Sequence, residues 1–128
     1  MSAPRRVVAG IGFRRGTEAA EIADLVARAL AAAGHPRLAA VATLARRAEE
    51  PAIRDAAARF GLVPVGVAEG ALAAADGVET RSARIEDLLG VGSLAEAAAL
   101  AAAGAGSHLL LARIASAGAT CALAEGRP

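Results

Sequence analysis

The segment VVAGIGFRRGT, residues 7–17, joins a β-branched apolar run to glycines, two arginines and a threonine. The run from Val7 to Ile11 predicts a first β-strand, and the apolar periodicity after Thr17 predicts a helix that Thr17 caps. Residues 10–17 are therefore predicted to form a strand-to-helix turn. Because amides at a helix N-terminus attract negative charge, this turn predicts an anionic ligand near the start of the chain.

The glycine spacing of this turn excludes two common phosphate-binding motifs. After Gly10 and Gly12 the third glycine is at position 16 rather than 15, so the dinucleotide fingerprint is absent. The Walker A spacing and its lysine are absent as well. Arg14 and Arg15 then favour a carboxylate or phosphate held by side chain and backbone together, since the guanidinium fork suits both groups. The alternative is a glycine turn with two solvated arginines.

A second arginine pair, Arg46 and Arg47, follows a predicted second strand over residues 38–44. If the two strands are parallel, both pairs lie at the carboxyl edge, where open α/β sheets bind ligands. Alternatively, this pair forms ion pairs with Glu49 and Glu50, which are also the candidates for a catalytic acid–base role or for a solvated helix start. The predicted ligand-binding residues are Gly10, Gly12, Arg14, Arg15, Gly16, Thr17, Arg46 and Arg47.

The rest of the chain alternates between helical and strand patterns. Pro51 suits the first position of a second helix, Pro64 suits an edge strand, and Ser93 with Glu96 forms a capping box ahead of an alanine-rich helix. These later elements are predicted over residues 51–60, 62–67, 69–75, 83–89, 93–103 and 108–124. The order predicts one α/β domain over residues 1–128, with a mostly parallel sheet, helices on both faces and a C-terminal antiparallel β-hairpin.

Composition narrows the range of functions. The net charge is +1, lysine is absent and Phe is the one aromatic residue type, which argues against nucleic-acid binding. No uncharged apolar run is long enough for a membrane span, and there is no secretory signal, so we expect a cytoplasmic protein. The single cysteine, Cys121, excludes an intrachain disulfide and fits a small buried hydrophobic residue. Neither His35 nor His108 has neighbours at metal-ligand spacing, so we expect no metal and no cofactor.

Four segments give the chain a family resemblance: residues 10–17, residues 42–51, residues 90–100 and the closing hairpin. In order and spacing they resemble the cobalamin-biosynthesis family that comprises CobE and the C-terminal domain of CbiG. The resemblance covers nearly the whole chain. The departures are Phe13, where the family commonly has Cys, Arg47 and Arg113, where it has Lys, and Ala83, where it has Glu.

The resemblance implies a role in building the corrin ring of vitamin B12. One hypothesis is a protein that binds the carboxylates of a precorrin or corrin intermediate and assists or carries it in the oxygen-dependent pathway. The second is a lactone-opening cobalt-precorrin-5A hydrolase of the CbiG type, which releases acetaldehyde, with Glu49 or Glu50 activating water. CbiG proteins carry an additional N-terminal domain that we expect to be absent here, which favours the CobE type.

A third hypothesis uses the turn alone and predicts a small-anion or nucleotide-phosphate binding module. The expected partners are the precorrin or corrin intermediate and other cobalamin-pathway enzymes, without nucleic acid or membrane. A homodimer is compatible with the edge strand that contains Pro64 and with the alanine-rich helix surface.

Overall fold

The sheet is built around β1, Val7–Phe13, whose seven residues are all buried. β1 pairs in parallel with β2, Leu38–Leu44, and antiparallel with β5, Ala119–Glu125. The two edge strands are β3, Val65–Val67, and β4, His108–Ala115, so the strand order is β3-β2-β1-β5-β4. β1 is therefore the strand that links the N-terminal part of the sheet to the C-terminal hairpin.

Three α-helices pack against the sheet in the part of the chain that the structure describes: α1, Ala19–Ala32, α2, Pro51–Ala58, and α3, Ser93–Ala103. A 3-10 turn, Ala45–Arg47, joins β2 to the segment before α2. The structure, a computed structural model, describes residues 6–68, 70 and 93–126. The helix predicted over residues 83–89 lies outside the described residues, as does the helix predicted over residues 69–75 except for residue 70.

The sheet is mixed, so the prediction of a mostly parallel sheet is wrong. The pairs β1–β2 and β2–β3 are parallel, whereas β1–β5 and β4–β5 are antiparallel. The reason is that the hairpin joins the sheet directly beside β1 and adds two antiparallel pairings, while β3 has only three residues. The α/β class and the C-terminal antiparallel hairpin are confirmed.

Alternate residues of β1 face different helices, because side chains in a strand point to opposite faces. Ile11 and Phe13 belong to the core cluster that includes Ile22 of α1 and Ile53 of α2. Val8 packs on the other face, in a cluster that is rich in alanine from α3. Helices therefore cover both faces of the sheet, and the helix on the Val8 face carries the smaller side chains.

Gly10 lies in β1 on the face that α3 covers. A Cβ atom at this position would overlap the carbonyl oxygen of Ala95 and the amide nitrogen of Ala99. Both alanines are fully buried. The helix backbone thus approaches the strand directly, and glycine at position 10 is required by packing.

We predict that Gly10→Ala lowers the free energy of unfolding by about 1–3 kcal/mol, because the added methyl group forces α3 away from β1. Chemical denaturation measures this change. The control is Ala112→Val, which adds more bulk at an exposed position of β4 and should change stability by less than about 0.5 kcal/mol. Equal stability of the two variants would contradict a direct contact between α3 and β1.

Candidate functional site

The four arginines of the two predicted pairs lie at one edge of the sheet. Arg14 and Arg15 directly follow β1, and Arg46 and Arg47 end the 3-10 turn that follows β2. Because β1 and β2 are adjacent and parallel, their carboxyl ends are neighbours. We call these four residues the arginine edge. Arg14, Arg15 and Arg46 are exposed, and Arg47 is partly buried.

Arg47 makes three kinds of contact at this edge. Its Nη1 donates a hydrogen bond to the carbonyl oxygen of Phe13, and its guanidinium lies 4.0 Å from the centre of the Phe13 ring. Its Nε donates to Glu50 Oε2 at 2.8 Å, and its Nη2 donates to Oε1 at 3.3 Å. Arg47 therefore ties the end of β1 to the residue that precedes α2. The ion pair with a neighbouring glutamate, one of the two roles considered from the sequence, is present between Arg47 and Glu50.

Glu50 stands at the N-cap position of α2. The hydrogen bond from Arg47 lowers its pKa, partial burial opposes this, and the charges of Arg47 and Arg15 lower the pKa further. Arg15 is thus close enough to act on this carboxylate. A carboxylate with a lowered pKa is a weaker base, so Glu50 is less suited to activating water. Glu49, the other acid–base candidate, is exposed beside it.

The glycines predicted to contact a ligand occupy two different environments. Gly10 and Gly12 lie inside β1 rather than in the turn, and both are buried. A Cβ atom at Gly12 would come within 2.9 Å of the Thr120 hydroxyl oxygen. Gly16 lies in the exposed turn and has a φ of +85°, a left-handed conformation that favours glycine. Packing accounts for the first two glycines and backbone conformation for the third.

The turn between β1 and α1, residues 14–18, is held by the hairpin turn at residues 116–118. The amide of Arg14 donates to the carbonyl oxygen of Gly118 at 2.9 Å, and the amide of Thr17 donates to Arg14 at 3.1 Å. The Thr17 hydroxyl also donates to the Gly118 carbonyl, at 3.1 Å. The amides of Arg14 and Thr17 are therefore engaged within the protein, and they are not available to a ligand in this arrangement.

Thr17 does not cap α1, so that prediction is wrong. The N-cap residue is Glu18, whose side chain makes no capping hydrogen bond. The physical reason is the approach of the hairpin turn, since Gly118 offers the Thr17 hydroxyl a carbonyl acceptor from a distant part of the chain.

Glu21 is a structural residue of this region that sequence reasoning missed. Its Oε2 accepts hydrogen bonds from the Ser116 hydroxyl and from the Gly118 amide, the latter at 2.7 Å. Both hydrogen bonds lower the pKa of Glu21, the one from Ser116 more than the one from Gly118, and desolvation raises it by less. In the sequence Glu21 is only one of several acids near the start of α1. Nothing local to it identifies partners almost a hundred residues away.

Two departures from the family pattern are in direct contact. Phe13 and Arg47 form the cation–π pair described above, in which the ring supports the guanidinium. Arg113 lies elsewhere, with its amide donating to Glu96 Oε2 at 3.1 Å and its Nη1 3.7 Å from the same oxygen. Ala83 lies outside the described residues.

The described residues contain no cluster of three or more His, Cys, Asp or Glu side chains that could hold a metal ion. His108 Nε2 lies 3.1 Å from Glu125 Oε1, and His35 is exposed. Cys121 is fully buried in β5, where burial raises its pKa to about 12, as expected for a small core residue.

A surface groove lies between α1 and α2 and is lined in part by Asp24, Arg59 and Phe60. Its lining includes none of the arginine-edge residues. Across residues 6–68, 70 and 93–126, no helix is long and apolar enough to cross a membrane.

Comparison with known proteins gives consistent matches. Residues 7–124 match the family model described as Cobalamin synthesis G C-terminus. Protein CobE of a Sinorhizobium species is 41% identical over 124 residues, which is 92% of this chain and 79% of that protein. The crystal structure of CobE, a protein from the cobalamin (vitamin B12) biosynthetic pathway, is similar with a TM-score of 0.81 and 32% identity, covering 98% of this chain and 93% of that one.

Two further crystal structures are similar. Cobalamin biosynthesis protein chiG from Agrobacterium tumefaciens str. C58 has a TM-score of 0.75 and 33% identity, covering 95% of this chain and 99% of that one. A cobalamin biosynthesis protein G homolog from Sulfolobus solfataricus has a TM-score of 0.71 and 25% identity, covering 98% of this chain but only 38% of that one. The chain thus corresponds to part of the longer protein and to nearly all of the shorter ones.

We predict that acid weakens the contact between the hairpin turn and α1. The folded pKa of Glu21 is lowered, so its contribution to stability is present above its usual value of 4.5 and is lost as the pH falls below that value. Glu21→Gln should therefore reduce the loss of stability between pH 6 and pH 3, measured by denaturation at each pH. The control, Glu18→Gln, removes a charge from the same end of α1 without touching the hairpin turn. An equal effect of the two substitutions would contradict a specific role for Glu21.

Proposed function

The chain belongs to the Cobalamin synthesis G C-terminus family and takes part in cobalamin biosynthesis, and we propose that it does so by binding a polycarboxylate precorrin or corrin intermediate at the arginine edge. In this role it assists or carries the intermediate in the oxygen-dependent pathway and passes it to other enzymes of that pathway. The ligand is recognised by the acetate and propionate carboxylates on its rim.

The observation that carries this proposal is the position of both arginine pairs at the carboxyl ends of two adjacent parallel strands. A guanidinium binds a carboxylate through two parallel hydrogen bonds, so several arginines at one edge suit a ligand with several carboxylates. Arg14 and Arg15 are exposed there, and the positive end of the α1 dipole adds to the potential. The expected ligand is an extended polyanion rather than a single phosphate.

The residues of the edge have different roles in this proposal. Arg14, Arg15 and Arg46 bind ligand carboxylates at the surface, and Arg47 binds one from a partly buried position. Gly16 and Thr17 shape the turn that presents the first pair. Gly10 and Gly12, which are buried in β1, act through packing rather than through contact with the ligand.

The state of Glu50 supports the binding role over the lactone-opening alternative. Both of its carboxylate oxygens accept hydrogen bonds from Arg47, and its pKa is lowered. A general base that works near neutral pH is more effective with a raised pKa. Release of acetaldehyde from a lactone-bearing cobalt-precorrin, lost in Glu50→Gln or Glu49→Gln, would instead favour the hydrolase.

We predict that the protein binds cobyrinic acid, a corrin with free side-chain carboxylates, and that the double variant Arg14→Gln/Arg15→Gln binds it at least about tenfold more weakly. The reason is the loss of charged hydrogen bonds, which contribute about 1.5–3 kcal/mol each. Titration followed by the visible absorption of the corrin measures the affinity. The matched control is Arg28→Gln, which removes an exposed arginine from α1 away from this edge and should change affinity by less than about twofold.

Two further ligands separate the hypotheses. The fully methyl-esterified form of cobyrinic acid has lost its carboxylate charges and should bind far more weakly than the free acid. Equal binding of acid and ester, or equal weakening by Arg28→Gln and the double variant, would contradict the proposal. Tight binding of a nucleotide without any binding of cobyrinic acid would favour the small-anion module.

A further inference from the structure

The arginine edge already holds a carboxylate that belongs to the protein itself. Glu50 accepts from Arg47 Nε at 2.8 Å and from Nη2 at 3.3 Å, so it occupies the fork that a ligand carboxylate would use. Arg15 is close enough to lower the pKa of the same carboxyl group. Glu50 thus lies where the proposed ligand needs to place one of its own carboxylates.

Arg47 is held in place independently of Glu50. Its Nη1 donates to the Phe13 carbonyl oxygen, and the Phe13 ring supports the guanidinium at 4.0 Å. Phe13 is buried at the end of the central strand, so these contacts are anchored in the core. If Glu50 moves away, the fork of Arg47 therefore stays in position for another carboxylate.

Glu50 is held less firmly than Arg47. Its side chain is 36% exposed, against 20% for Arg47, so solvent screens its two hydrogen bonds to the guanidinium and reduces what they contribute to stability. Glu50 stands at the N-cap position, but no side-chain capping bond fixes it there. Its carboxylate can consequently turn towards solvent at small cost while the backbone of α2 stays in place.

From this geometry we propose that Glu50 is an internal competitor that occupies the fork of Arg47 in the free protein and is exchanged for a carboxylate of the ligand. The inference rests on the proposed function, because it specifies how the same edge takes its ligand. The exchange makes Glu50 a specificity-determining residue. A ligand that reaches Arg14 and Arg15 as well as Arg47 displaces Glu50 through its additional carboxylates, whereas a single carboxylate competes with a tethered one at a disadvantage.

The test uses butane-1,2,3,4-tetracarboxylate as the probe and isothermal titration calorimetry as the measurement. Glu50→Gln should bind the probe about three- to fivefold more tightly than wild type, because the fork of Arg47 is no longer occupied by an anion. Glu49→Gln is the matched control, since it removes the same charge from the neighbouring exposed position and should change affinity by less than about twofold.

A second variant separates exchange from overall charge. Glu50→Asp keeps the net charge but shortens the side chain, so its carboxylate reaches Arg47 less well, and it should also bind the probe more tightly than wild type. A purely structural role for Glu50 predicts weaker binding in both Glu50 variants. Weaker or unchanged binding by Glu50→Gln, or equal tightening by Glu49→Gln, would overturn the exchange, as would absence of probe binding to all four proteins.

Cobyrinic acid, titrated into the same four proteins, distinguishes the exchange from the proposed function. If both Glu50 variants bind the probe more tightly than wild type and Glu49→Gln do, but cobyrinic acid fails to bind, the exchange at Arg47 is supported and the corrin-binding function is contradicted. If cobyrinic acid binds equally to wild type and to both Glu50 variants, and the probe affinity does not differ among the four proteins, the function is supported and the exchange is contradicted.

Discussion

The parallel pairing of β1 with β2 is the constraint on which the candidate site depends. It places the ends of the two strands side by side, which allows Arg47 after β2 to reach the carbonyl oxygen and the ring of Phe13 at the end of β1. Inside the sheet, the fully buried Thr43 hydroxyl donates to the Ile11 carbonyl oxygen at 2.8 Å and joins the same two strands. The arginine edge is therefore attached to the most buried part of the molecule.

The second side of β1 decides which groups remain available to a ligand. Because β5 pairs with β1, the hairpin turn lies over the start of α1. There the Gly118 carbonyl oxygen accepts a hydrogen bond from the amide of Arg14, and the Glu21 carboxylate accepts one from the amide of Gly118. The protein thus satisfies backbone groups that, in a phosphate-binding loop, would face the ligand. What remains exposed is a set of guanidinium groups, and these suit carboxylates spread along the rim of a large ligand better than one compact phosphate.

Local sequence patterns predicted the helices and strands, but they did not predict contacts between residues that are far apart in the sequence. The bounds of β2 and the position of Pro51 at the start of α2 agree with the structure, since each depends on neighbouring residues. The role of Gly10 could not be predicted, because it depends on how closely α3 approaches. The prediction that Thr17 caps α1 was wrong for a similar reason, because the Thr17 hydroxyl bonds to Gly118, about a hundred residues away. The sequence also did not reveal that the hairpin would join beside β1 and make the sheet mixed.

We propose that the carboxylates of a corrin intermediate bind at the carboxyl ends of β1 and β2. A crystal structure of the protein with cobyrinic acid would show where these carboxylates bind. We expect ligand carboxylates within hydrogen-bond distance of the side chains of Arg14 and Arg15, with the corrin ring lying along this edge of the sheet. A corrin seated instead in the groove between α1 and α2, against Arg59 and Phe60, with no carboxylate at the arginine edge, would contradict it.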